Sequence, residues 1–210
     1  MTSSTPDIID LLAGIDAGSP VDRIRAERPE TRLNAQKSYL ALFEPVDESE
    51  VTRSERLAIA AFVAGLHASA NVAEFYASGL VDAAGGASLA AAVKAEAEKN
   101  RTNGPYGHYP AGPLSGENRD GLHYKVADFS HAVLGTKLSA ALEHSHLLVF
   151  RPRDANPAAL QKLLDAGWTT SAIVTISQIV AFLSFQIRVI TGLRVLAASA
   201  TQPAATHAAE

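Results

Sequence analysis

The chain has 210 residues, 47% of them hydrophobic, with a formal net charge of −4 and a pI near 6.0; that is enough apolar material for one sizeable core, and no basic field to hold nucleic acid or an anionic membrane. Cysteine is absent, which excludes disulfides, thiolate metal sites, thiol nucleophiles and dithiol redox chemistry together. The N-terminal MTSSTPDIIDLL has no basic start and Asp10 breaks its apolar run, so it does not read as a secretory signal and a cytoplasmic location is expected.

Thr5-Pro6-Asp7 supplies an N-cap, a first-turn proline and a first-turn acid, and Ile8, Ile9, Leu11 and Leu12 give the apolar face of a short helix that Gly14 ends. Ser19-Pro20 starts a second helix that Pro29 stops, and Thr31 caps a third carrying Leu33, Tyr39, Leu40 and Phe43 up to Pro45. After the acidic VDESE, Thr52-Arg53-Ser54-Glu55 fits a capping box for a mostly buried helix through Leu66. Asn71-Val72-Ala73-Glu74 repeats that signal for the next helix, which reaches Gly85-Gly86. Ser88 then opens an alanine-rich helix with a Lys94, Glu98 pair, ending near Asn100.

From Asn100 to Tyr124 five glycines and three prolines interleave with Tyr106, His108, Tyr109, His123 and Tyr124. This is an irregular segment, and its aromatics predict an ordered, functional one. Helix resumes over Val126–Phe150, and Asn156-Pro157 caps a short helix that Gly167 terminates.

The stretch Gly167–Leu196 carries no charge from Ala166 through Ile187 and is apolar on nearly every helical face, which predicts a central helix surrounded by protein. A membrane span is the competing reading, but Thr169, Thr170, Ser171, Thr175, Ser177, Gln178, Ser184 and Gln186 interrupt it. Ser184, Arg188 and Thr191 share one face, so Arg188 is expected to enter the interior and to need a buried carboxylate. No segment alternates as a strand does, so the class is all-α, one domain over 1–196 with a flexible tail at 197–210.

Glu55 and Glu74 are candidate catalytic carboxylates flanking a pocket, with His67 as the group that titrates near neutrality. The plainer readings make both acids capping-box residues and His67 a helix-end cation. His108, Tyr109 and His123 are candidate substrate contacts from the long loop, and Arg188 is a candidate to orient a carboxylate or to pair with Glu55. In Glu143-His144-Ser145-His146 the two rings point about 200° apart on a helix, so they cannot share a metal, and no metal site is expected.

The segments 53–85 and 140–196, above all LLDAGWTTSAIVTISQIVAFLSFQIRVITGLRVL, resemble the carboxymuconolactone decarboxylase-like, or AhpD-like, superfamily. In its peroxidase members a glutamate stands twelve residues before a Cys-x-x-Cys-x-x-x-His segment. Counted from Glu55, that segment falls on His67-Ala68-Ser69-Ala70-Asn71-Val72-Ala73-Glu74, so His67 and Ala70 stand where the thiols would be and Glu74 stands for the histidine. The thiol peroxidase chemistry therefore does not carry over. The resemblance implies an AhpD-like bundle around the C-terminal helix, a homo-oligomer, and cofactor-free acid–base chemistry on a small carboxylate or lactone. The alternative is a non-catalytic binding or partner protein that keeps the fold.

Overall fold

The computed structural model describes residues 6–81 and 85–200. Among them are nine α-helices and no strand: α1 (Ile8–Ala13), α2 (Pro20–Ala26), α3 (Pro29–Phe43), α4 (Arg53–Leu66), α5 (Ala70–Val81), α6 (Gly86–Lys99), α7 (Asp128–Phe150), α8 (Pro157–Asp165) and α9 (Thr170–Ala200). The all-α reading holds.

Helix starts that pair a side-chain acceptor with a proline or a capping box fall where expected. Ser19 accepts from the Asp22 N–H with Pro20 at the first turn, Asn156 does the same for Ala159 before Pro157, and Thr52 and Glu55 complete a reciprocal box. Three other starts differ. Asp7, not the Thr5 outside the described residues, caps α1; Pro29 begins α3 two residues before Thr31; and α6 begins at Gly86, behind a left-handed Gly85, rather than at Ser88. Helix α5 also starts earlier than the Asn71 signal, at Ala70, which puts Asn71 inside the first turn, where its Nδ2 donates to the Leu12 carbonyl at 3.0 Å. Glu74 is thereby not a capping-box acid.

The most enclosed helix is α4, not α9. Ala58, Ile59, Ala60, Phe62, Val63 and Ala64 are all fully buried, and helices α5, α6, α7 and α9 pack around it. Small residues allow this: a Cβ on Gly65 would meet Ala97 Cβ at 2.7 Å, so the α4 and α6 backbones are already at closest approach. Helix α9 buries one face, with Ile176, Ile179, Leu183 and Ile190 in the core, while Val174, Phe185 and Val195 lie exposed. By length and composition it could cross a bilayer, and half of its apolar window is buried against the other helices. Its register is held by Tyr76 of α5, whose buried hydroxyl donates to Gln186 Oε1 at 2.9 Å. Gln186 stands between Ser184 and Arg188 on the same stretch of helix.

Candidate functional site

Helix α4 ends at His67, whose N–H bonds the Val63 carbonyl at 3.1 Å, and the chain turns through Ala68 at φ 57°. A left-handed conformation costs a non-glycine residue about 1 kcal/mol, so the turn that presents His67 is strained. The histidine faces an open cleft of about 740 Å³, walled by the end of α4, the stretch 101–105, Phe150 at the end of α7, and the α9 stripe Ser177, Ala181, Ser184 and Arg188.

Ser184 Oγ lies 3.4 Å from His67 Nε2, and Arg188 Nη1 donates to the Ser184 carbonyl at 2.7 Å. Arg101, on the opposite wall, donates from Nε to the Gly65 carbonyl at 3.1 Å. Partial burial pushes the His67 pKa down, and the Arg188 guanidinium adds to the shift. The ring is therefore a neutral base at pH 7. Among the described residues no aspartate or glutamate lines the cleft, so in a chain of net charge −4 their share of this concavity is two cations and no anion.

The other sequence-derived candidates separate. Glu55 is at the start of α4, about 18 Å from His67 by the rise of a helix, and its carboxylate is occupied: Oε2 accepts from the Thr52 N–H at 2.8 Å and Oε1 pairs with Lys137 at 3.0 Å. It neither shares the cleft with His67 nor pairs with Arg188. Glu74 is exposed on α5, on the rim of a neighbouring groove of about 260 Å³ walled mainly by alanines. Arg188 is exposed rather than interior and has no ion-pair partner among the described residues; its long side chain reaches out along its own helix. Arg56, by contrast, is a buried guanidinium, and it donates to the Val51 and Leu42 carbonyls, each at 2.8 Å.

Only the first residues of the long loop line the His67 cleft. His108 and His123 face a second cleft beside α8, and Tyr109 packs under the Arg153 guanidinium, 4.0 Å from its ring centroid. On α7, His146 Nε2 bonds the Asn100 carbonyl at 3.1 Å while His144 lines the inner end of that second cleft, so the two rings occupy separate surroundings. The sequence reading missed Arg101, which carries no periodic signal after the helix end. The stripe Ser177, Ala181, Ser184, Arg188, at helical spacing, was legible as one face, but nothing local said that it fronted a cleft.

No family model, curated protein or solved structure gives a significant match to this chain.

Proposed function

We infer that the His67 cleft binds a small carboxylate or lactone and transfers a proton at the carbon beside its carbonyl, without a cofactor, in the manner of the carboxymuconolactone decarboxylase-like proteins the sequence resembles. The observation that carries this reading is a neutral histidine facing a concavity with two guanidinium groups and, among the described residues, no carboxylate. Arg188 and Arg101 would hold the substrate carboxylate. Its negative charge offsets Arg188, which otherwise opposes protonation of His67, so the substrate itself strengthens the base that acts on it. His67 Nε2 takes the proton, and the electron pair left on carbon delocalises onto the adjacent carbonyl oxygen. Ser184 Oγ, 3.4 Å from that same nitrogen, accepts the hydrogen bond of the imidazolium N–H once the proton has moved. Thiol-dependent peroxide reduction is excluded because the chain has no cysteine.

A non-catalytic binding role is the second reading. It is favoured by the openness of the cleft and by His67 Nδ1, which no group among the described residues holds, whereas catalytic histidines are commonly fixed through their second nitrogen. In either case we propose a homo-oligomer, supported by the exposed apolar strip of Leu160 and Leu164 on α8 with Val174 and Phe185 on α9.

The deciding experiment is a panel of small carboxylic acids and lactones assayed for turnover and for perturbation of the His67 ring by NMR. Turnover that His67→Gln lowers by about a hundredfold or more supports the catalyst. A ligand that shifts the His67 ring with no turnover leaves the binding role, and a panel that does neither rejects both.

A further inference from the structure

The cleft beside α8 has its own chemistry. Its outer part, about 460 Å³, is bounded by His108, His123, Arg151, Asp154 and Lys162, and an inner pocket of about 120 Å³ adds His144. It shares no residue with the His67 cleft.

Of the three carboxylates around it, Asp154 and Glu143 are already engaged, while Asp120 is 93% exposed to solvent. Asp154 accepts from the His108 N–H at 3.0 Å and from Arg151 Nη1 at 3.2 Å; Asp120 meets His108 Nε2 at 3.2 Å; Glu143 takes Lys125 at 2.8 Å and the Val126 N–H at 3.2 Å. The donors are not exhausted. Arg151 is 8% exposed, and its Nη1 is taken by Asp154 and by His123, which it approaches at 2.7 Å from Nε2 and 2.8 Å from Nδ1. Among the described residues its buried Nε has no partner, and its hydrogen bonds to them are all made by Nη1 and none by Nη2. His144, 5% exposed, has neither ring nitrogen bonded. Lys162 stands at the mouth without an ion pair among the described residues.

A buried polar group left unpaired costs free energy, and here Arg151 and one nitrogen of the neutral His144 ring lack acceptors. The Nε and Nη2 edge of a guanidinium matches the two oxygens of a carboxylate in a planar, bidentate pair. We propose that this cleft is a second binding site, for a small carboxylate that draws the covered Nε and Nη2 edge of Arg151 and the covered His144 ring toward it to make their missing bonds, with Lys162 guarding the entrance. His108 and His123 belong to this site rather than to the His67 cleft.

The test is a titration of the full chain with pyruvate, followed by the Arg151 Nε–H and His144 ring resonances, with inorganic phosphate and chloride in parallel. Pyruvate is expected to shift both resonances saturably, and Arg151→Lys, which keeps the charge but not the fork, to weaken binding at least about tenfold. Lys162→Glu, on an exposed position, should weaken it about threefold or more and serves as the deciding variant if Arg151→Lys does not fold. Binding here should be unchanged in His67→Gln, which separates this site from the proposed catalytic one. Unmoved Arg151 and His144 resonances, shifts by phosphate or chloride equal to those by pyruvate, or full affinity in Lys162→Glu would overturn the proposal.

Discussion

Two arginines exchange the roles that local sequence suggests for them. Arg188 sits in the longest apolar stretch of the chain, yet it is exposed and serves the cleft, whereas Arg56, in an ordinary capping-box helix, is buried and closes two backbone carbonyls. Arg188→Met should therefore change stability by no more than about 0.5 kcal/mol, and it should raise the His67 pKa because it removes the neighbouring cation that depresses it. Arg56→Ala, which strands both carbonyls and opens space, should cost about 2–4 kcal/mol. Urea melts of the two variants with an NMR titration of His67 check the contrast; a larger loss for Arg188→Met would show that the burial pattern is misread.

At the level of elements, two left-handed positions lead to opposite expectations. Gly135 interrupts α7 at φ 70° and ψ 170°, conformations open to glycine alone, with nothing within 4 Å of where a Cβ would stand. Gly135→Ala should then destabilise by about 1–3 kcal/mol through backbone strain and not through a clash. Ala68, at φ 57° in the turn after His67, already carries such strain, and Ala68→Gly should stabilise by about 0.5–1 kcal/mol. Thermal denaturation of both decides the matter, and a stabilising Gly135→Ala would mean that the α7 kink is not a fixed feature. Helix α7 was legible as one continuous run because its apolar spacing continues through the kink, which is a property of one residue's dihedral angles.

Across the whole molecule, three histidines with depressed pKa values set the response to acid. Burial lowers His144, His146 and, with Arg188, His67 below the ordinary 6.5. Below that value the unfolded chain binds protons that the folded one refuses, so stability falls as the pH drops through about 6.5, and the loss levels off only below the depressed folded values. A second decline is expected below 3.8, where Asp22 and Asp47, lowered chiefly by backbone N–H donors, take up protons in the unfolded chain first. Above neutrality these groups contribute no slope. Urea midpoints at about pH 7.5 and about pH 5 measure the first window, and equal midpoints would show that these rings are solvated.

The all-α class and the helix starts at Ser19-Pro20, Thr52-Glu55 and Asn156-Pro157 were readable from residues alone, because a cap is a contract among neighbours within four positions. The weaker signals at Asn71 and Ser88 failed because α5 is already helical at Ala70 and α6 starts at Gly86 behind a left-handed glycine. The apolar pattern of α9 said that its surface wants cover, but not that α4, lined with alanines, would be the helix wrapped on all sides while α9 kept one face bare. The His67 cleft draws on residues 67, 101–105, 150 and 184–188, and the second cleft on residues 108–162. Sequence spacing encodes which side chains share a helix face; which faces meet, and which buried donors are left unmatched between them, follows from how the helices pack.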